Sequence, residues 1–228
     1  MATKNGTAVV NRVEAVEKAK GEVIAIAPLR MRTLAVRVVG DAPYMQARFS
    51  EKAMNMMKAK QEAGAAAKKG GKKDARDFQA DFKAAQHVSE EGWVGVPAAA
   101  FRAACIDVCR MVGFRMTYAK MSIFIEADGL DKVDGMPLVR LDAGEPEMSM
   151  MAVRNQTGVA DLRPRPMWRK WAVNLRIRFD EDQFSASDVI NLLNRAGQQV
   201  GIGEGRPFSK QSNGLGFGSF TIATEGVQ

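Results

Sequence analysis

Residues Trp171 to Phe179 alternate strictly in character. Trp171, Val173, Leu175, Ile177 and Phe179 fall on one side, and Asn174, Arg176 and Arg178 on the other. An extended backbone turns successive side chains to opposite faces, so this run is a strand with one packed face and one polar, basic face. Such a strand requires a second layer over its apolar side. Ser185 then heads a helix with Asp188 three residues on, the spacing at which hydroxyl and carboxylate each satisfy an unpaired N–H. Val189, Ile190, Leu192 and Leu193 form the buried side of that helix, and Gly197 predicts its end. A glycine tract follows, Gly201-Ile-Gly-Glu-Gly-Arg-Pro207 and Gly214-Leu-Gly-Phe-Gly-Ser-Phe220, and leads into a last strand-like run.

Earlier in the chain, Thr33 to Gly40 reads as a strand ended by Gly40-Asp-Ala-Pro43. Ser50 caps a helix whose Met54, Met56 and Met57 are either core or an adaptable contact surface. Ala63 to Lys73 has the low complexity of a mobile basic loop. Asp77 to His87 is again helical, with Phe78 and Phe82 on one face. Gly92 to Gly95 is a short strand or turn. Pro97 suits the first position of a helix in which Phe101, Cys105, Val108, Cys109 and Val112 make one stripe. Met121 to Glu126 is the next strand, Pro137 to Leu141 a possible one, and Glu145 to Arg154 an arm of a hairpin.

Without two long insertions the order is strand, helix, strand, strand, helix, strand. This predicts an α+β protein with a ferredoxin-like βαββαβ core. The core strands are expected at 33–40, 120–126, 171–179 and 216–223, and the core helices at 97–112 and 185–197. The insertions span about 41–95 and 127–168. An N-terminal arm (1–32) precedes the single domain (33–223), and a tail (224–228) follows it.

Charge narrows the partners. Lys and Arg number 33 against 26 Asp and Glu, a net +7 over 228 residues. A basic bias of this size suits an acidic partner such as nucleic acid. No apolar run approaches the ~20 residues that cross a bilayer. Met1 to Lys20 lacks the basic-then-apolar layout of a signal peptide. The expectation is therefore a cytoplasmic protein with no membrane partner. Cys105 and Cys109 lie four apart on one helix face, without the second pair or histidine cluster of a zinc site, and read as buried thiols. His87, the only histidine, reads as a surface residue. No catalytic residue, metal site or cofactor is expected. Among the plentiful carboxylates, Asp161 beside a basic cluster is the one a metal-dependent nuclease would use.

Three segments carry the candidate binding residues. The glycine tract is neither a P-loop nor a dinucleotide fingerprint, because it lacks the Lys-Ser/Thr ending and follows a helix. It is either a connection with a tight turn or a backbone cradle for phosphates, with Gly201, Gly203, Gly205 and Arg206 in close contact and Lys210 adding charge. Lys68, Lys69, Lys72 and Lys73 are either a solvated loop or an arm that tracks phosphates. Arg154, then Arg163, Arg165, Trp168, Arg169 and Lys170, interleave cations with prolines and an aromatic ring. They are either a basic lead-in to the strand or a grip in which Trp168 stacks on bases. Trp171 reads as core.

These motifs resemble the RAMP superfamily, in particular the CRISPR backbone subunits that coat guide RNA. The resemblance rests on Val38-Val-Gly-Asp-Ala-Pro43 at the end of the first strand and on the glycine tract after the second core helix. The run Gly40 to Ala53, Val96-Pro-Ala-Ala-Ala-Phe-Arg102 and Gly201 to Pro207 is similar to a group of phage and prophage proteins. The resemblance implies an RRM-like core, subunits stacked along a strand, the first insertion as a palm or finger and the second as a thumb. The expected function is a non-enzymatic, largely sequence-independent binder of single-stranded RNA or DNA that is phage-encoded and oligomerises along the strand as a homo-oligomer or helical filament. The alternatives are a phage assembly or anti-defence interaction protein, and a RAMP-type metal-dependent ribonuclease.

Overall fold

The computed structural model describes residues 26–64, 75–154, 160–210, 212 and 214–223. The chain divides into two units, Met1–Arg30 and Met31–Gln228, and the described helices and strands belong to the second. In chain order they are β1 (Met31–Gly40), β2 (Tyr44–Met45), α1 (Glu51–Ala63), α2 (Phe78–Ala84), β3 (Gly95–Pro97), α3 (Ala98–Met111), α4 (Met116–Ser122), β4 (Ile123–Glu126), β5 (Gly129–Leu130), β6 (Pro137–Asp142), β7 (Glu147–Arg154), β8 (Ala160–Trp168), β9 (Ala172–Asp180), α5 (Ala186–Arg195) and β10 (Phe220–Ile222). The protein is α+β, with antiparallel pairing in both of its sheets.

The alternating strand organises the larger sheet. β9 pairs with β1 from Met31 opposite Asp180 to Val39 opposite Ala172. On the other edge of β9, β4 takes the far half, Ile123 opposite Phe179 to Glu126 opposite Arg176, and β6 takes the near end at Val173. β10 borders β1, and β3 and β5 extend β6. Val173, Leu175, Ile177 and Phe179 are buried together with Leu34, Val36 and Val38 of β1. The layer over them is α3 and α5, which pack on each other. α3 contributes Phe101, Ala104, Cys105, Val108 and Cys109, and α5 contributes Val189, Leu192 and Leu193. α5 starts at the expected capping box, with Ser185 Oγ accepting from the Asp188 N–H and the Asp188 carboxylate accepting from the Ser185 N–H.

The last core strand, expected at 216–223, is confined to Phe220–Ile222, and two further boundaries differ from the sequence reading. The strand expected from residue 120 begins at Ile123, because Met116–Ser122 is helical. Arg102, off the apolar stripe of α3, explains this: its guanidinium donates to the carbonyls of Lys120 and Ile123, satisfying acceptors that a helix end leaves open. Gly197 does not stop α5. The chain continues through a π-helical turn, Ala196–Val200, and turns only at Gly201. Gly197 is needed for contact, since a side chain there would overlap the Phe220 carbonyl of β10.

The two insertions meet. β2, from the first, pairs with β8 from the second, Tyr44 opposite Trp168 and Met45 opposite Met167. β8 also pairs along its length with β7, so the expected hairpin arm forms as the edge strand and β8 has a partner on each side. α2 packs against β8. α1 has no buried residue, and Met56 is 65% exposed with Met57 beside it, which puts these methionines on a surface rather than in the core. Cys105 and Cys109 are buried free thiols; burial, with Cys109 adding to it, pushes the Cys105 thiol up to about 12. Among the described residues no helix is long and apolar enough to cross a membrane.

Candidate functional site

The glycine tract is laced by backbone bonds to the turn after β1. Gly218 donates to Pro43 O at 2.7 Å, Glu204 to Met45 O at 2.9 Å, and Ile202 to Gly218 O at 3.0 Å. Gly203 and Gly218 have φ of 80° and 67°, values that side chains rarely allow. A Cβ at Gly203 would sit 2.5 Å from Met45 O, and one at Gly218 would overlap the Ile202 carbonyl. These glycines therefore let the chain approach itself. The tract lies on Tyr44–Met45 from one side while β8 pairs with the same two residues from the other. In this way the tract and the Arg163/Arg165 segment, well separated in sequence, come to border one cleft of about 510 Å³.

Charge in that cleft is unbalanced. Arg163, Arg165 and Arg206 line it against one lining carboxylate, Glu204. Arg165 Nε donates to Glu204 at 2.5 Å, and Arg163 Nε to Asp161 at 3.1 Å. Arg206 has no carboxylate partner among the described residues. Its Nε donates to Phe208 O at 3.2 Å and its Nη1 to Gly203 O at 3.1 Å, so carbonyls fix its position and leave its charge uncompensated. Ser209 and Ser212 add hydroxyls, and Ser212 Oγ donates to Arg206 O. The N–H groups of Gly203, Gly205 and Arg206 have no acceptor among the described residues. A held guanidinium beside backbone N–H groups that have no acceptor among the described residues is the chemistry that receives an oxyanion.

Of the expected binding residues, Arg163, Arg165, Gly203, Gly205 and Arg206 come together here. Gly201 is buried against Pro207, so its close approach is internal. Trp168 is corrected: it is 3% exposed, stacks on Tyr44 at 5.8 Å and donates from Nε1 to Gly144 O, which leaves no face for a base. Its place in β8, opposite Tyr44, turns it inward. Arg169 is exposed outside the cleft, with Nε 2.9 Å from both oxygens of Glu147, whose hydrogen bond raises the Arg169 pKa. Lys170 and Lys210 are exposed. Lys68, Lys69, Lys72 and Lys73, and the side chain of Arg154, lie outside the described residues.

His87 is also corrected. It is buried, not on the surface, and its Nδ1 lies 2.9 Å from Asp131 Oδ2. Arg48 Nε lies 3.3 Å from the same oxygen, and Gln46 bridges the His87 N–H to Gly95 O. Burial opposes ionisation of Asp131, but the Val133 N–H, His87 and Arg48 outweigh it and hold the carboxyl below its usual range. This network floors the cleft through Gln46 and His87. Nothing in the spacing of residues 46, 48, 87 and 131 signals it, since three separate segments supply it.

Asp161 lies between two arginines, 2.7 Å from Arg76 Nη1 and 3.1 Å from Arg163 Nε. Arg163 and Arg76 hold its pKa below the usual value. Among the described residues, no three His, Cys, Asp or Glu side chains group as a metal site.

The polar face of β9 is less basic than its sequence. Arg176 pairs with Glu126 and Asp128, and Arg37 of β1 with Asp142 and Asn174. The cleft of about 880 Å³ on this face has three lining arginines and three lining carboxylates. No protein-family model matches the chain, and no curated protein matches it.

Proposed function

We propose that this chain is a non-enzymatic, largely sequence-independent single-stranded nucleic-acid-binding protein. In this reading the cleft between β8 and the glycine tract receives the sugar-phosphate backbone. The observation that carries it is Arg206, whose charge no carboxylate among the described residues compensates, set among three N–H groups without acceptors there. Arg163 and Arg165 would contribute the next phosphate contacts, with their present acidic partners as the groups a phosphate displaces. Phosphate contacts of this kind carry affinity and little sequence information.

The strand order β10–β1–β9–β4 with two helices on one face supports a ferredoxin-like, RRM-like core. That core, the insertions that meet at β2 and β8, and the tract after the second core helix favour the RAMP-like resemblance. Oligomerisation along the strand is part of the same proposal. Phe208 and Leu215, exposed on the tract, are apolar groups a neighbouring subunit would cover.

The test is anisotropy of a labelled single strand across a salt series, for the wild type and Arg206→Ala. The wild type should lose affinity steeply with salt. The variant should bind at least several-fold more weakly and with a shallower slope, by about 0.7 for each phosphate that is no longer neutralised. Absence of binding at low salt, or an affinity indifferent to salt, sinks the proposal.

A further inference from the structure

Three tryptophans are present, and Trp168 and Trp171 are buried. Trp93 is the third. It lies half-buried before β3 and lines the 880 Å³ cleft on the sheet face. Its six-membered ring is bedded on two glycines: a Cβ at Gly95 would lie 2.9 Å from Trp93 Cζ3, and one at Gly129 2.8 Å from Cζ2. Gly95 of β3 and Gly129 of β5 both pair with β6, at Arg140 and Leu138, so a flat bed exists there only because neither has a side chain. The indole is also fixed at its other end, where Nε1 donates to Glu91 at 3.0 Å. A ring backed by bare backbone and anchored by its nitrogen is a pre-oriented platform, and ordering it costs no further side-chain entropy on binding.

The charges around it select the ligand. Arg37, Arg140 and Arg176 line the cleft with Glu91, Asp128 and Asp142, so no net positive charge draws a phosphate there. Arg140 contributes a guanidinium with no side-chain partner among the described residues, while Asp142 is held by Arg37. Donors and acceptors of both signs beside an aromatic face match the edge of a nucleobase, which is planar, uncharged and carries both carbonyl and amino groups. The phosphate cleft has the opposite balance, three arginines to one carboxylate.

We propose that Trp93 is a base-stacking platform and that the sheet-face cleft takes an unstacked base of the strand whose phosphates the other cleft holds. This rests on the nucleic-acid reading above and adds a second, chemically distinct site to it. It also moves the stacking role expected of Trp168 to a residue that neither basic cluster contains.

The test compares an oligothymidylate with an abasic strand of equal length. The wild type should bind the base-bearing strand roughly 5- to 150-fold tighter, the range that stacking of one base supplies. Trp93→Leu should erase that preference and leave abasic binding unchanged, and Trp93→Phe should keep most of it. Should the leucine variant fold poorly, the wild type still decides, because the base-bearing strand should quench the fluorescence of Trp93 and the abasic strand should not. Equal binding of the two strands by the wild type, or an unchanged preference in Trp93→Leu, overturns this inference and leaves phosphate binding standing. If neither strand binds at low salt, both readings fall together.

Discussion

Asp131 is 1% exposed, yet it carries a charge and faces the Arg48 guanidinium and the His87 ring. Its carboxylate faces Arg48 and His87, and its other oxygen accepts from the Val133 N–H at 2.9 Å. Removing one member of a buried pair leaves the other uncompensated, so Asp131→Ala should cost about 3–5 kcal/mol in urea unfolding at neutral pH. The pH dependence has a definite sign. The folded-state pKa of Asp131 is depressed, so its contribution is complete above the unfolded value of about 3.9 and is lost as pH falls through the folded value. The stability gap between wild type and Asp131→Asn should therefore narrow as pH falls below about 4. A gap that widens on acidification would contradict this account. At this scale the sequence misleads where chemistry depends on distant neighbours. A lone histidine and an acid in a loop look solvated, and Trp168 beside arginines looks available, because burial is not a local property.

Gly218 and Gly216 separate two roles within one element. Both have positive φ, at 67° and 79°. Gly216 has open space where a Cβ would stand, whereas Gly218 has the Ile202 carbonyl. Gly216→Ala should cost about 1 kcal/mol, the left-handed penalty alone. Gly218→Ala should cost clearly more, because the bonds to Ile202 and Pro43 must open as well. Thermal unfolding of both variants measures the difference, and equal losses would show that the tract is a loose connection. The α5 capping box and the alternation of β9 are legible because each depends on residues within a few positions of one another. The end of α5 is not, because Gly197 answers to β10 across a contact and not to its own helix. The start of β4 depends likewise on Arg102, which lies in the preceding long helix.

Across the whole molecule, six arginines line two clefts of different charge balance. One retains excess positive charge at Arg206; in the other, Glu91, Asp128 and Asp142 match the three arginines in number. The proposed strand-coating role needs both a backbone track and a place for bases, and many weak contacts per subunit multiply when subunits line up. Light scattering should accordingly report a mass that rises in steps of one subunit as single-stranded oligonucleotide is lengthened. Rings or tubes that form without nucleic acid and ignore it would favour the assembly-protein alternative.

Helix α4 and strand β8 escape the sequence, whereas the two core helices, the packed face of β9, the cap of α5 and the basic character of the chain can be read from it. They follow from periodicity, local hydrogen bonding and composition, all of which act over short separations. Three features depend on the fold: the joining of Arg163 and Arg165 to the glycine tract, the burial of Trp168, and the emergence of Trp93. Each is set by a long-range contact, namely the pairing of β2 with β8, the backbone bonds from the tract to Pro43 and Met45, and the bare backbone at Gly95 and Gly129. A residue's neighbours across such contacts determine its solvent and its charge environment, and those cannot be read from its position along the chain.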